Sequence, residues 1–475
     1  MNRQFVSVLN KSFCFASLST CLFVQFATAQ ETFDIDVSYE KGQQYRVQSQ
    51  IEHAGTVTVD YAEKDTPPQH LEIDVKARLD YHERFVGSAA KPQAVRYYGQ
   101  SHADIKLDKA STVSELLKCN QLIVARINSE AGNSYQIASV EDTLQQRELE
   151  LLKNPADPLS LAGLVNKSQV KIGGEWEPSR DNLARFLFVD HIIATDVKLT
   201  LKDVGNRVAK VYITGRAKAE VDDALTEMTV TGIVQIDLTA KLVVDLRLNV
   251  LEDRQPGQIA PGFEGKTKVD LHITRHEGVP QLSNESLKSI AESKSIRNLL
   301  KWQSETGKFA LKYDPSWKII AAEDEAAVLR YVENGDLLAQ CNIVQLASRP
   351  ADKPLSLADF EKEVATIISK DPTSRVSGAE QMTSVAGLKA LRVTVKGVEE
   401  EIPLNWVYYN LASADGRQVT FVFTLEEAIA SRVELAAKKI VDGFVFNQLK
   451  SKLQLDLQSE KHQPRGAKAA TDPIR

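Results

Sequence analysis

The stretch Leu71-Glu72-Ile73-Asp74-Val75-Lys76-Ala77-Arg78-Leu79-Asp80-Tyr81 determines the fold class of this chain. Every second residue is apolar, and every residue between them is charged. Side chains of a β-strand point alternately to the two sides of the sheet, so the pattern places an apolar row on one face and a charged row on the other. It predicts a long antiparallel strand with one buried face and one face in water.

The same period of two returns in later segments. They are Val197–Leu201, Val208–Ile213, Met228–Ile236, Leu242–Val250 and Val269–Ile273. Between the strand-rich blocks, segments 142–153 and 181–188 are predicted to be helices, and 157–164 is predicted to be a short apolar turn. We therefore predict a curved antiparallel sheet or incomplete barrel over residues 31–276, with the helices inserted against its apolar face.

This run of strands resembles the curled half-barrel of lipoprotein carriers and related exported lipid-handling proteins of the LolA kind. The residues that carry the resemblance are Gly215, Gly232 and 233–237, which lead into 242–244. The segment 171–176 has no placed counterpart in that family. The resemblance implies a carrier that holds a lipid or another apolar ligand inside the curved sheet.

A polar stretch separates two regions of the chain. Residues 277–306 are interpreted as a linker, with a helix predicted from Glu285 to Trp302. At the far end, residues 448–475 are rich in polar residues and are predicted to be a disordered tail.

The region 307–447 has its own order of strands and helices. Phe309–Tyr313 alternates as a strand and stops at Asp314-Pro315-Ser316-Trp317. Ser356 is the predicted N-cap of a helix, Thr424 and Glu427 form a predicted capping box for a closing helix, and Asp415-Gly416 indicates a hairpin turn. Strands are predicted between these helices.

This order resembles the PsbP-like family, in which an antiparallel sheet lies between helical layers. The matching pieces are Phe309–Trp317, Pro354–Phe360, Val385–Leu388, Val407–Tyr409 and Ile440–Phe444. The resemblance implies a non-catalytic domain that binds a protein partner or assists assembly. No binding residue of the family can be matched here. The fold class expected for the whole chain is α+β.

The beginning of the chain predicts export. Residues 1–29 contain basic residues, an apolar run of about 14 residues and Ala27-Thr28-Ala29, as in a cleaved signal peptide. Lipid attachment at Cys21 is the alternative. Of the four cysteines, Cys119 and Cys341 would remain after cleavage. So few cysteines are typical of large bacterial periplasmic or extracellular proteins.

The net charge of the chain is −6, which does not indicate a protein that binds nucleic acid. No later run of 18 apolar residues predicts a transmembrane span.

The sequence favours binding over catalysis. It holds no HExxH, paired CxxC, GxSxG or P-loop motif. His272 and His276 could share a strand face near Asp270, but two surface histidines near a strand end are the simpler interpretation. We expect no catalytic residue, no cofactor and no metal, and an unknown protein partner.

One strand offers a candidate partner surface. Trp406, Tyr408 and Asn410 share a face, although packing in a doubly covered central strand is the alternative. The expected function is an exported, non-catalytic, two-domain binding or assembly protein. The alternative is a carrier of a lipid or apolar ligand. An apolar cavity of several hundred Å³ inside the N-terminal sheet would favour the carrier, whereas a concavity filled by helices would favour the binding protein.

Overall fold

The structure of the chain is a computed structural model. The structure describes residues 31–59, 67–88, 91–108, 113–116, 121–128, 134–140, 142–292, 298–304, 306, 308–333 and 336–447. The predicted signal peptide, the predicted tail and Cys119 lie outside these residues. Within them, no helix has the length and apolar character needed to cross a membrane.

The N-terminal part is built from long strands and three short helices. The strands are β1 (Thr32–Ile35), β2 (Gln44–Val59), β3 (Gln69–Phe85), β4 (Gln93–Leu107), β5 (Val113–Leu116), β6 (Gln121–Asn128), β7 (Ser134–Ser139), β8 (Lys167–Lys171), β9 (Glu175–Trp176), β10 (His191–Thr195), β11 (Lys198–Gly205), β12 (Val208–Val221), β13 (Ala224–Asp237), β14 (Leu242–Arg254) and β15 (Gly262–His276). The helices are α1 (Gln146–Leu152), α2 (Pro158–Val165) and α3 (Arg180–Leu187).

Most of these strands form one antiparallel sheet. Its order is β7-β6-β4-β3-β2-β15-β14-β13-β12-β11-β9, with β10 also paired to β12 and β5 to β4. The predicted alternation holds in β3, where Ala77, Leu79 and Tyr81 are buried while Lys76 and Arg78 are exposed. The sheet therefore has an inner, apolar face and an outer, charged face.

The three helices fill the inner face. Leu161 of α2 and Phe186 of α3 are fully buried in the same core cluster as Val211 and Val234 of the sheet. Asp157 caps the first turn of α2 by accepting a hydrogen bond from the Leu159 amide, at 3.0 Å. The pocket between these helices and the sheet has a volume of about 20 Å³, which is room for a single water molecule.

The segment after β15 differs from its prediction. A 3-10 turn (Pro280–Leu282) precedes α4 (Asn284–Glu292), whose Ile290 packs on Val95 and Val124. The predicted helix does not extend to Trp302, because Leu300–Gln303 forms strand β16. β16 pairs with the next strand, β17 (Phe309–Tyr313), and places Trp302 opposite Leu311. Tertiary pairing thus overrides the helical composition of this stretch.

The C-terminal part contains a seven-stranded antiparallel sheet and a smaller three-stranded one. Their strands are β16 (Leu300–Gln303), β17 (Phe309–Tyr313), β18 (Trp317–Ala322), β19 (Ala326–Glu333), β20 (Asp336–Leu346), β21 (Arg375–Thr383), β22 (Lys389–Glu399), β23 (Ile402–Ala412), β24 (Gln418–Glu426) and β25 (Phe444–Phe446). The orders are β18-β19-β20-β24-β23-β22-β21 and β16-β17-β25. The helices are α5 (Leu357–Ile368) and α6 (Ala430–Asp442), with a 3-10 turn at Glu427–Ile429 before α6.

The two helices lie on opposite faces of the larger sheet. Phe360 of α5 packs against Val393, whereas Val433 of α6 belongs to the cluster of Val407 and Phe421. The expectation of an α+β chain built mainly of antiparallel sheet is confirmed by this architecture.

Direct contacts join the two parts of the chain. Leu144 forms a parallel β-bridge with Leu300, and its carbonyl accepts from the Lys301 amide at 2.8 Å. The Gln146 side chain accepts from the amide of Ile319 at 3.1 Å. Lys318 lies 3.2 Å from a carboxylate oxygen of Asp222. The segment that leads into α1 therefore packs against the C-terminal part.

Candidate functional site

A buried ion cluster ties the helices to the inner face of the sheet. Arg96 of β4 donates from Nε to Glu83 of β3 at 2.5 Å. Its two Nη atoms donate to the two carboxylate oxygens of Asp157, at 2.7 and 2.8 Å. Because Asp157 is also the N-cap of α2, Arg96 connects the sheet directly to the start of that helix.

Glu83 is the acid of this cluster whose pKa is strongly shifted. Burial raises its pKa to about 7, more than Arg96 lowers it, and its Oε1 atom has no hydrogen-bond partner. A raised carboxyl pKa is often a sign of catalysis. Glu83 is completely buried, however, and the neighbouring pocket of about 20 Å³ leaves no room for a substrate. The cluster is therefore a structural connection.

A second polar group lies on the inner face farther along the sheet. His53 stacks on Phe263 with ring centroids 4.3 Å apart, and its Nδ1 lies 2.8 Å from the Thr267 hydroxyl. Burial lowers the pKa of His53 to about 4, and the nearby Arg254 adds to this effect. Gly265 leaves space for the Phe263 ring, since a Cβ there would lie 2.4 Å from it. Neutral His53 is thus part of the packing.

The outer face carries a larger concave feature, which we name the outer groove. It has a volume of about 960 Å³ and crosses β12, β13, β14, β15 and β2, with 194–196 at one end. Ten of its residues point outward from these five strands: Ala54, Thr56, Arg216, Lys218, Glu227, Thr229, Leu251, Asp253, Glu264 and Lys266. The groove is open to solvent.

The register of the strands arranges these side chains in two parallel rows. Row one runs across the strands in the order Lys218, Glu227, Asp253, Glu264 and Thr56. Row two lies two residues away along each strand and runs in the order Arg216, Thr229, Leu251, Lys266 and Ala54. Row one is mainly acidic, whereas row two combines two cations with a half-exposed leucine.

The three carboxylates of row one are directly opposed on neighbouring strands. Glu227 pairs with Asp253, and Asp253 pairs with Glu264. Like charges in such positions disfavour the sheet. Lys218 at the end of the row lies 3.9 Å from Glu227, and Gln255 donates to Asp253 at 3.3 Å.

Elsewhere on the outer face, opposite charges face each other across the strands. Lys268 lies 2.9 Å from Glu52 on β2, and Arg247 of β14 lies 3.7 Å from Asp270 on β15. The row of like charges in the groove therefore departs from the pattern around it. It marks the groove as the best candidate site on the described surface.

The predicted partner surface on β23 lies in a different environment. Trp406 and Tyr408 are partly buried against the α5 side of the sheet. Asn410 is 1% exposed, and its amide lies 3.4 Å from the Gln418 side chain. As a binding surface for a partner, the three residues stay a prediction.

The histidines considered for a metal site are held by other contacts. His272 pairs with Asp245, and His276 accepts from the Gly278 amide at 3.0 Å and packs edge-on against His82. No group of three potential metal ligands occurs among the residues that the structure describes. Cys341 is buried and is not in a disulfide.

Sequence reasoning missed the outer groove. The alternating pattern predicts that each groove residue points outward from its own strand. It does not predict which of these residues are neighbours. Which carboxylates become neighbours depends on the register between β13, β14 and β15, and the sequence does not state that register.

Comparisons with known proteins give distant similarities in structure. No protein-family model matches the chain, and no curated protein matches its sequence. The solution structure of PsbP from Synechocystis sp. PCC 6803 is 14% identical and covers 33% of this chain and 96% of its own, with a TM-score of 0.26.

Two proteins of Pseudomonas aeruginosa show structural similarity of comparable extent. PA94, of unknown function, is 14% identical over 32% of this chain and 100% of its own, with a TM-score of 0.23. The immunity protein TplEi is 11% identical over 52% of this chain and 97% of its own, with a TM-score of 0.21. At these values the similarities assign neither a family nor a function to the chain.

Proposed function

We propose that this protein is an exported, non-catalytic, two-domain binding protein that engages a protein partner through the outer groove. The observation that carries the proposal is the groove itself. It is an open concavity of about 960 Å³ whose carboxylates Glu227, Asp253 and Glu264 oppose one another without cations between them. A partner that brings lysine or arginine side chains would relieve this repulsion. The groove should therefore prefer a partner with a cationic surface.

The filled inner face supports binding on the outside of the sheet. A lipid carrier needs an apolar cavity of several hundred Å³. Here α2 and α3 occupy the inner face, and the pocket beside them measures about 20 Å³. The alternative of an internal lipid or apolar ligand has no comparable support.

The packing around Glu83, Arg96 and His53 supports a non-catalytic role for these three residues. Glu83 and Arg96 are completely or almost completely buried, and His53 is packed against Phe263. A general acid or base must reach its substrate within hydrogen-bond distance. The groove residues, in contrast, are exposed charges, a leucine and threonines, which suit recognition.

Photo-crosslinking tests this proposal in the organism that makes the protein. A photoreactive residue replaces Leu251, which is 52% exposed in the groove, and a control replaces Glu361 on the exposed side of α5. We expect a discrete protein adduct from position 251 alone, and its loss when Asp253 and Glu264 are changed to lysine. Adducts of equal yield from both positions, or none from position 251, would contradict the proposal.

A further inference from the structure

The size of the outer groove limits what it can receive. It crosses six strands from β10 to β2. At about 4.8 Å between neighbouring strands, its length is about 24 Å. A volume of about 960 Å³ over that length gives a cross-section of roughly 40 Å², which is about half that of an α-helix about 10 Å wide. The groove has the dimensions to hold one helix of about 16 residues, half embedded.

The spacing of the charges favours a helix over an extended segment. Glu227, Asp253 and Glu264 follow one another along the groove in steps of about 4.8 Å, the distance between neighbouring strands. Side chains on one face of a helix lie about 5 to 6 Å apart at i, i+3 and i+4. Side chains on one face of an extended segment are about 6.6 Å apart. A helix lying across the strands can therefore place one cation near each carboxylate.

The second row adds a second requirement. Arg216 and Lys266 flank Leu251 in row two, parallel to the carboxylates. A helix that presents cations to row one would turn its neighbouring face toward row two. Acidic and apolar side chains on that face would complement the two cations and the exposed leucine.

We infer that the outer groove receives one amphipathic α-helix of a protein partner, with Lys or Arg at i, i+4 and i+7 or i+8 beside an acidic and apolar stripe. The inference rests on the proposed function and specifies the occupant of the same groove. A phosphate-rich partner such as nucleic acid or an anionic membrane would meet the carboxylates of row one and be repelled.

Three labelled 16-residue peptides test the inference with the full mature chain. The first carries lysines at i, i+4 and i+8 with glutamates and leucines on the adjacent face. The second has the same composition with the lysines at i, i+2 and i+5, and the third exchanges lysine and glutamate. Fluorescence anisotropy gives the affinities, and circular dichroism with melting temperature verifies that each protein variant is folded.

We expect the first peptide to bind about tenfold more tightly than the second, and binding to weaken as salt increases. Changing Asp253 and Glu264 together to lysine should weaken the first peptide about tenfold and strengthen the third. The matched control Glu361→Lys, an exposed carboxylate of the other domain, should change neither affinity.

Two results would overturn the helix as the occupant. One is equal affinity of the natural chain for the first two peptides. The other is that changing Asp253 and Glu264 to lysine fails to strengthen binding of the third peptide. If the crosslink from position 251 still captures a protein in that case, the proposed function stands and only the helix is wrong. If no adduct forms either, both proposals are wrong.

Discussion

Arg96 and Asp157 form a two-pronged ion pair, 61 residues apart in the sequence, with both nitrogen–oxygen distances below 3 Å. It joins β4 to the first turn of α2. Loss of Asp157 removes this pair together with the N-cap of α2 and leaves Glu83 as the carboxylate beside Arg96. Breaking a buried ion pair by removing one partner costs about 3 to 5 kcal/mol. We therefore expect Asp157→Ala to lower the free energy of unfolding by about that amount. Urea titration measures it, with the exposed Asp203→Ala as the control. A loss of less than 1 kcal/mol would show that Glu83 alone is a sufficient partner for Arg96.

Glu83 and His53 give the folded state opposite dependences on pH. The pKa of Glu83 is raised from 4.5 to about 7. Its contribution to stability is therefore present below pH 4.5 and lost as the pH rises through 7. The pKa of His53 is lowered from 6.5 to about 4. Its contribution is present above pH 6.5 and lost as the pH falls through 4. Between about pH 4.5 and 6.5 the two dependences oppose each other.

Two variants separate these dependences. The free energy of unfolding of the natural chain minus that of Glu83→Gln should fall by about 3 kcal/mol from pH 4.5 to 7, since one pKa unit corresponds to 1.36 kcal/mol. The corresponding difference for His53→Asn should change in the opposite direction. Urea titrations across this pH range measure both, and parallel profiles for the natural chain and either variant would contradict the assignment.

Trp317 is a structural anchor of the C-terminal part. It is 1% exposed and lies against Tyr331 and Phe423, with ring centroids 5.1 and 5.8 Å away. Replacing a buried aromatic residue by alanine costs about 3 to 5 kcal/mol. We expect Trp317→Ala to lower the melting temperature clearly, whereas Val385→Ala, at a position 81% exposed, should not. An unchanged melting temperature with loss of partner binding would make Trp317 a functional residue.

The C-terminal part should fold alone, and β16 should stabilise it. Trp302 of β16 packs on Phe309 of β17, with ring centroids 5.3 Å apart. A fragment of residues 298–447 should therefore melt cooperatively and at a higher temperature than a fragment of residues 305–447, which lacks β16. Calorimetry of both fragments measures this. If neither melts cooperatively, the contacts with Leu144 and Gln146 are required for folding, and the domain boundary near residue 306 is wrong.

Export remains a prediction from the first 29 residues alone. Cleavage after Ala29 would leave Gln30 at the mature N-terminus. Terminal sequencing of the protein isolated from its host should find Gln30. A retained Met1 or a lipidated Cys21 would contradict it.

The sequence predicts those elements that depend on local patterns. The alternation in residues 71–81 correctly assigned β3, and Ser356 is the N-cap of α5, accepting from the Asp359 amide at 3.1 Å. The capping box at Thr424 was wrong. Thr424 continues β24, paired with Gln340 and Trp406, and α6 begins only at Ala430. Pairing on both sides outweighs a local cap of about 1 kcal/mol.

The candidate site depends on relationships that no local pattern contains. Glu227 and Glu264 share a row only because β14 lies between β13 and β15 in one register. Arg96 and Asp157 meet only when α2 lies on the inner face. Single-strand patterns correctly place these side chains inside or outside, but contacts between distant segments require the pairing of the whole sheet.

The bridge between Leu144 and Leu300 is one route by which mechanical load would pass between the two parts of the chain. A pull on the C-terminal part reaches Lys301, whose amide is bonded to the Leu144 carbonyl, and passes from there into the start of α1. Tension on this route would act on α1, whereas the pair of Lys318 and Asp222 would carry tension to the turn between β12 and β13. The segment around Leu144 is therefore a point where load on the C-terminal part reaches the helices of the N-terminal part.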